Sequence, residues 1–220
     1  MTAPMKCIVT AGPTYESLDK VRRLTNSSTG KLGTELAAYL TDRGYEVILL
    51  LGFQSTYRGE QRAKSVQIFW DTESLSNQLE ELGARGVDAV FHAAAVSDFK
   101  FGRVSSRQPD GSLSEIKSGK FTTREGPLLA ELVPTPKIIG QLRGWYPRAR
   151  LIGWKYEVDG NRTDAIALGE KQIAACHTDA CVVNGAAYGE GFGFVTGSNQ
   201  CQHVNEASEL YATLEQFVRG

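Results

Sequence analysis

The chain has almost no excess charge of either sign. Its 24 lysine and arginine residues nearly balance 25 aspartate and glutamate residues, so the formal net charge is -1. This balance provides no broad electrostatic field for nucleic acid or an anionic membrane surface, and any anion site must be local. The sequence also lacks an apolar run long enough to span a membrane and an apolar N-terminal signal core. We therefore expect a cytoplasmic protein with no nucleic-acid or membrane partner.

Residues typical of metal and nucleophile sites are few and widely spaced. The chain contains three histidines and four cysteines, and their spacing matches neither C-x-x-C nor a zinc pattern. No G-x-S-x-G motif marks a serine nucleophile. Cys7 and Cys181 lie in apolar runs, where thiols behave as small apolar groups. These absences argue against a zinc enzyme and a serine hydrolase, and they indicate reduced core thiols.

Common nucleotide fingerprints are missing too, but another loop takes their place. The chain lacks G-x-G-x-x-G after its first apolar run and G-x-x-x-x-G-K-[ST] anywhere. A long loop instead joins a predicted strand at residues 5–11 to a predicted helix beyond Gly30. Unpaired N–H groups at a helix start attract anions, and small residues let a phosphate approach. The open alternative is that Ser28 or Thr29 only caps the helix. The loop predicts a phosphate site at Gly12, Ser28, Thr29 and Gly30.

Short apolar runs alternate with helical patterns along most of the chain. Strands are predicted at residues 45–51, 66–70, 87–95, 128–133, 149–156, 180–184 and 192–196. Among the predicted helices, one begins with Thr135 as its cap and Pro136 as its first residue. This alternation is typical of a mostly parallel sheet with helices on both faces. We therefore predict an α/β protein, a Rossmann-like three-layer α/β/α domain that spans residues 1–220.

Residues 99–124 interrupt the alternation. They are rich in glycine, serine, lysine and arginine, with scattered apolar residues, which predicts a long flexible insertion. Such loops inside compact domains are usually functional. We expect a lid, a binding loop or an inter-subunit arm, in which Lys117 and Lys120 could close over a triphosphate as point charges. The alternative is that both are solvated surface lysines.

Polar clusters follow several predicted strands. Doubly wound sheets bind ligands outside the carboxyl ends of their strands, so these clusters predict one shared site. Asp98 directly follows a buried strand, where its carboxylate could hold Mg²⁺ or a ribose hydroxyl. The alternative is a turn or cap aspartate. The clusters are the loop from Gly12 to Lys31, Ser97 with Asp98, Lys155 with Glu157, and Asn184.

Six motifs then occur in order: D-x-V-R at 19–22, N-x-S-T-G-K-x-G at 26–33, A-A-A-V-S-D-F at 93–99, G-P-L at 126–128, T-P-K-I-I at 135–139 and G-W-K-Y-E at 153–157. Together they resemble the motifs of the phosphopantothenoylcysteine synthetase family, the synthetase half of the DNA/pantothenate metabolism flavoproteins, over nearly the whole chain. The resemblance implies a ligase of coenzyme A biosynthesis that joins 4′-phosphopantothenate to cysteine with Mg²⁺ and CTP, or ATP. It also implies a homodimer, and we expect a stand-alone synthetase without a fused decarboxylase.

The resemblance further implies roles for individual residues. Asn26 would contact an acyl-nucleotide intermediate and assist its reaction with cysteine, and Arg22 would lie beside it. Ala94 and Asp98 would line the nucleotide site, with Lys155 at the neighbouring strand end. Glu115 occupies the place of the family's catalytic lysine, so Lys117, or Lys120 after a shift, would take that role.

Two other functions remain open at this level. A short-chain NAD(P)-dependent oxidoreductase is suggested by H-A-A-A at the end of the fourth predicted strand, but the glycine fingerprint and any Tyr-x-x-x-Lys pair are missing. A non-catalytic nucleotide-binding protein is suggested by Glu115.

Overall fold

The computed structural model describes residues 3–220 and contains a central sheet between layers of helices. In chain order its elements are β1 (Lys6–Ala11), β2 (Tyr15–Ser17), β3 (Arg23–Thr25), α1 (Lys31–Asp42), β4 (Glu46–Gly52), β5 (Ser65–Phe69), α2 (Thr72–Gly83), β6 (Ala89–His92), β7 (Phe99–Arg107), β8 (Leu113–Glu115), a 3-10 turn (Thr123–Glu125), β9 (Leu128–Pro134), α3 (Ile138–Trp145), β10 (Arg150–Tyr156), α4 (Arg162–Cys176), β11 (Ala180–Asn184), β12 (Phe192–Gly197), β13 (Gln200–Val204) and α5 (Ala207–Arg219).

The central sheet confirms the predicted Rossmann-like class. Its eight strands have the order β13-β12-β11-β10-β6-β1-β4-β5. Neighbours from β11 to β5 are parallel, whereas β12 and β13 add antiparallel pairs at one edge. The chain passes from β1 through β4 to β5 in one direction, and from β6 through β10 to β11 in the other. The winding therefore reverses between β1 and β6, which is where such sheets bind ligands.

Two apolar layers attach the helices to the sheet. On one face, α1 packs on β1 and β4 and α5 packs on β12 and β13, and on the other face α2 packs on β5 and α3 packs on β10. Leucines at helical spacing occupy one side of each helix, which is why they are buried together. The fully buried examples are Leu36 and Leu40 of α1, Leu75 and Leu79 of α2, Leu142 of α3, and Leu210 and Leu214 of α5.

The insertion at residues 99–124 is more regular than the sequence predicts. It contains β7 and β8, which form an antiparallel sheet of order β8-β7-β9. The predicted strand at 128–133 is present as β9, but it pairs with β7 outside the central sheet. The prediction of a long loop without regular structure is wrong for this segment. The sequence does not reveal β7, because β7 is mostly exposed and shows no apolar alternation. Its backbone is instead satisfied by pairing with a distant strand.

Two further boundaries differ from the sequence prediction. Helix α3 begins at Ile138 with Lys137 at its cap position, because Thr135 is held elsewhere: its hydroxyl donates to the Ser97 carbonyl and its N–H to the Asp98 carbonyl. Of the strand predicted at residues 87–95, only Ala89–His92 pairs in the sheet, as β6. Residues 93–95 belong to the loop that follows. Over residues 3–220, no helix combines the length and apolarity needed to cross a membrane.

Candidate functional site

The loops that follow β1 and β6 are joined at the switch point of the sheet. Ala95 N–H donates to the Gly12 carbonyl at 3.0 Å, and Thr14 N–H donates to the Ala95 carbonyl at 3.1 Å. Ser97 N–H donates to the buried Thr14 hydroxyl at 2.8 Å, and Ala94 N–H donates to the Thr10 hydroxyl at 3.0 Å. The two loops therefore form one fixed floor that includes the predicted Gly12 and Ala94.

Gly12 and Gly30 meet under Ser55 in the turn after β4. Both glycines have positive φ angles, 81° and 82°. A Cβ on Gly12 would lie 1.8 Å from the Ser55 Oγ, and one on Gly30 would lie 2.8 Å from it. Neither position has room for a side chain, and L-residues are disfavoured at such φ angles. The glycines thus let the β1 loop and the start of α1 approach closely.

The residue at the cap position of α1 has no side chain to cap the helix. Gly30 occupies the cap position, and no acidic residue lies in the first turn. The alternative that Ser28 or Thr29 is the helix cap is therefore wrong, although the Thr29 hydroxyl accepts from Lys31 N–H at 3.3 Å. A helix end of this kind presents N–H groups and a positive dipole to an anion.

The β2–β3 hairpin carries Asn26 to the β6 loop. The Asn26 Nδ2 donates to the Ala95 carbonyl at 3.0 Å, and the Thr25 hydroxyl donates to the Thr14 carbonyl at 2.9 Å. Asn26 itself is exposed. The structure therefore brings Asn26 against the loop that contains Ala94, next to the phosphate loop.

Arg22 is engaged in a structural clamp. Its Nε and Nη2 donate to Asp19 Oδ2 at 3.0 and 2.6 Å, and Nη2 also donates to the Phe121 carbonyl at 2.7 Å. Phe121 N–H donates back to Asp19 Oδ2 at 3.2 Å. The clamp joins the turn before β3 to the end of the insertion, and it fixes Arg22 four residues before Asn26.

The Asp19 carboxylate predicts a pH-dependent contribution to stability. Its side chain is 1% exposed. Desolvation raises the pKa of Asp19, but hydrogen bonds from Val21 N–H, the Arg22 side chain and Phe121 N–H outweigh it and hold that pKa well below its usual range. Because the folded pKa is depressed, the stabilisation is present above the unfolded pKa of about 4 and decreases as pH falls below it.

We therefore expect Asp19→Asn to destabilise the protein more at pH 7 than at pH 3. Urea unfolding of both proteins at the two pH values measures the difference. Asp159→Asn is the control, because Asp159 is exposed and its side chain makes no hydrogen bond or ion pair within residues 3–220. A destabilisation by Asp19→Asn that is equal at both pH values would contradict the expectation.

Asp98 is exposed and forms an ion pair with Lys137 at the start of α3. In residues 3–220 no group of three or more histidine, cysteine, aspartate or glutamate side chains is placed to hold a metal. A lone carboxylate suits Mg²⁺ when a substrate triphosphate and water supply the other ligands, as is common for this ion. The residues present therefore fit a magnesium ion that arrives with a nucleotide.

The predicted lysines fall into two places. At the end of β10, the Lys155 Nζ lies 2.9 Å from Glu157 Oε1, and Glu157 N–H donates to the Asn184 carbonyl at 2.9 Å. Lys117 and Lys120 are exposed in the segment after β8. That segment lies against the Arg22 turn, where Lys20 N–H donates to the Gly119 carbonyl at 3.1 Å.

Several residues of the site carried no local sequence signal. Ser55, Lys137 and Asp19 have no role predicted from the sequence, although Lys137 and Asp19 lie within two of the six motifs. His92 lies buried at the end of β6, next to this floor. Burial lowers the pKa of His92 to about 4, and its Nδ1 lies 3.1 Å from the Thr10 hydroxyl, so it remains neutral near pH 7.

The chain shares extensive similarity with known proteins. It is 35% identical over 183 residues to the coenzyme A biosynthesis bifunctional protein CoaBC of Thermococcus kodakarensis, covering 81% of this chain and 41% of that protein. With CoaBC of Bacillus subtilis the identity is 30% over 189 residues, covering 84% and 42%. The chain thus spans about two-fifths of the length of these curated relatives.

Structural comparison leads to the same group. The crystal structure of the DNA/pantothenate metabolism flavoprotein from Streptococcus pneumoniae has a TM-score of 0.85 and 26% identity, with 98% of each chain covered. A crystal structure of the C-terminal domain of CoaBC shares the fold, with a TM-score of 0.73 at 20% identity. The match to the family model extends over residues 2–216, which confirms the resemblance seen in the motifs. The chain belongs to the family described as the DNA/pantothenate metabolism flavoprotein C-terminal domain.

Proposed function

We propose that the chain is a phosphopantothenate–cysteine ligase of coenzyme A biosynthesis. The observation that carries the proposal is the arrangement at the switch point: a helix start with Gly30 at its cap position, packed on Gly12, beside Asn26 held on the Ala95 carbonyl. Its relatives of 30–35% identity are named coenzyme A biosynthesis bifunctional proteins, which supports this pathway over an oxidoreductase.

The proposed reaction has two steps. The carboxylate of 4′-phosphopantothenate attacks the α-phosphate of a nucleoside triphosphate, forming an acyl-nucleotide and releasing pyrophosphate. The cysteine amine then attacks the acyl carbon, the C–N bond forms, the nucleoside monophosphate leaves and the amine loses a proton. Both steps place charge on phosphoryl or carbonyl oxygens, which fixed N–H donors stabilise without a covalent enzyme intermediate.

The residues of the floor have distinct proposed roles. The α1 start, with Ser28, Thr29 and Gly30, would hold phosphate oxygens. Asn26 would donate its second amide hydrogen to the acyl-nucleotide, because the first is directed to Ala95. Ala94 would line the nucleotide pocket, and Lys155 would approach from the end of β10 as a cation.

Asp98 is the proposed protein ligand for Mg²⁺. The ion would neutralise triphosphate charge when bound. The ion pair between Asp98 and Lys137 means that Lys137 must move aside or turn towards the phosphates when the nucleotide enters. We propose CTP as the preferred nucleotide, following the family resemblance, with ATP as the alternative.

The remaining parts of the proposal concern the insertion and the assembly. Lys117 or Lys120 would replace the lysine lost at Glu115, since both are exposed on a segment next to the Arg22 turn. We further propose that residues 1–220 act as one domain, that the protein is a homodimer, and that it works in the cytoplasm.

A second candidate function is nucleotide binding without turnover. The observation in its favour is that Arg22 and Asp98 are both engaged in ion pairs within the chain. If these pairs persist when a nucleotide is bound, two of the proposed active-site residues are not free for substrate.

One assay tests both candidates. The protein is incubated with 4′-phosphopantothenate, cysteine, Mg²⁺ and either CTP or ATP, and pyrophosphate and product mass are measured. We expect one pyrophosphate for each phosphopantothenoylcysteine, and no condensed product when cysteine is omitted. Nucleotide binding by calorimetry without product would favour the second candidate, and no product with either nucleotide would refute the ligase.

A further inference from the structure

The turn between β4 and β5 lies directly against the proposed phosphate loop. Tyr57 N–H donates to the Thr29 carbonyl at 3.0 Å. Two residues earlier, Ser55 packs on Gly12 and Gly30. This turn was assigned no role by the motifs, yet it touches the loop at the residue next to the start of α1.

The side chain of Tyr57 is fixed as well. Its hydroxyl donates to Glu35 Oε1 at 2.9 Å, and the Tyr211 hydroxyl of α5 donates to Glu35 Oε2 at 3.0 Å. Glu35 lies in α1, one turn beyond the phosphate loop. Tyr57 is therefore bound at its backbone to the loop and at its hydroxyl to the helix that follows the loop.

This double attachment determines which way one peptide group points. In a planar trans peptide, the carbonyl oxygen of one residue and the N–H of the next point in opposite directions. With the Thr29 carbonyl held by Tyr57, the Gly30 N–H points away from that turn. A flipped peptide would point the Thr29 carbonyl oxygen away from the turn, to the side where the Gly30 N–H now points. An oxygen on that side would repel a phosphate.

Glycine makes such a flip accessible, because it adopts φ angles of either sign at little cost. Gly30 has a φ of 82°, so its backbone alone does not restrict the neighbouring peptide. An external constraint is needed to keep a single orientation. Hydrogen bonding to Glu35 raises the pKa of Tyr57, and its hydroxyl therefore remains a donor at neutral pH.

We propose that Tyr57 and Glu35 are positioning residues that hold the Thr29–Gly30 peptide in its phosphate-binding orientation and thereby set the affinity for the nucleoside triphosphate. The part of this inference that concerns nucleotide affinity rests on the proposed function, whereas the part that concerns the peptide orientation does not. Neither residue needs to touch the substrate.

The test uses Tyr57→Phe, which keeps the backbone N–H and the ring but loses the bond to Glu35. A hydrogen bond contributes about 1 kcal/mol, so its loss can reduce the population of the binding-competent orientation, and raise the nucleotide Kd, by up to about fivefold. We expect that increase in Kd and in KM for the nucleotide, with KM for cysteine unchanged. Amide hydrogen exchange in residues 26–31 should become faster without any nucleotide. Glu35→Leu removes the acceptor of the Tyr57 and Tyr211 hydroxyls and should act in the same direction, and the double variant should be no worse than the more affected single variant.

Tyr39→Phe is the matched control. The Tyr39 hydroxyl also lies on α1 and donates to a glutamate, Glu215 Oε2 at 3.0 Å, but Tyr39 is about one turn farther from the loop than Glu35. Its removal should leave nucleotide Kd and exchange in residues 26–31 unchanged. The thermal transitions of both variants show whether they are equally folded.

The outcomes separate this inference from the proposed function. A wild-type protein that binds no nucleotide would refute the proposed function, while hydrogen exchange would still decide whether Tyr57 holds the loop. Wild-type exchange and affinity in Tyr57→Phe would overturn the inference even if the ligase activity is confirmed. Equal effects of Tyr57→Phe and Tyr39→Phe would also overturn it.

Discussion

Asn26→Asp is expected to slow formation of phosphopantothenoylcysteine about 100-fold, a typical loss when one preorganised donor to a developing negative charge is removed. The Asn26 amide donates to the Ala95 carbonyl at 3.0 Å. An aspartate would place a carboxylate beside that carbonyl oxygen and could not donate to the acyl-nucleotide. Because the second step is affected most, the acyl-nucleotide should accumulate, which quenched-flow sampling with mass spectrometry detects.

Two further variants distinguish the loss of the Asn26 donor from the added negative charge and from a general effect of an Asn→Asp change. Asn26→Ala removes the donor without adding charge, so its rate should lie between those of the wild type and Asn26→Asp. Asn77→Asp makes the same chemical change at an exposed position of α2 and should leave the rate unchanged. Wild-type turnover in Asn26→Asp would refute the role proposed for Asn26.

Gly12→Ala is expected to lower the free energy of unfolding by about 2–5 kcal/mol. About 1–2 kcal/mol comes from placing an L-residue in the left-handed region, and about 1–3 kcal/mol from overpacking. The second term arises because the new Cβ would lie 1.8 Å from the Ser55 Oγ. Urea unfolding measures the loss, and phosphate or nucleotide affinity should fall with it because the loop is displaced.

Gly44→Ala provides the reference for the backbone term. Gly44 has a φ of 84°, and a Cβ there would meet nothing within 4 Å. Gly44→Ala should therefore lower the free energy of unfolding only by the about 1–2 kcal/mol that an L-residue costs in the left-handed region. Adding Ser55→Ala to Gly12→Ala should recover part of the packing term, because it removes the Oγ. If Gly12→Ala costs no more than Gly44→Ala, the close packing under Ser55 does not contribute.

Elements that bury an apolar face were predictable from local sequence. The first strand and α1 follow from an apolar run and from leucines at helical spacing, because burial imposes these periods on the chain. The apolar runs also predict that Gly12 and Asp98 follow strands of one parallel sheet. Parallel strands bring their carboxyl ends to one edge, so the location of a common site at that edge was also predictable.

The strand pairing in the insertion and the clamp at Arg22 could not be predicted from local sequence. β7 is mostly exposed, and its partner β9 begins 20 residues after it ends, so no local period reports the pairing. Arg22 contacts Phe121, 99 positions along the chain. Pairings across such separations depend on how the whole chain folds, and the sequence near either partner does not encode them visibly.

The sequence by itself determined the layer architecture, the loop of small residues before α1 and the family resemblance, because burial periodicity and glycine placement are local properties. Only the tertiary structure decided that Gly30, rather than Ser28 or Thr29, caps α1. It also decided that Asn26 is held on Ala95, that Asp98 pairs with Lys137 and that Tyr57 reaches Glu35. These contacts join segments brought together by the winding of the sheet, and hydrogen-bond geometry depends on three-dimensional positions that residue order alone does not specify.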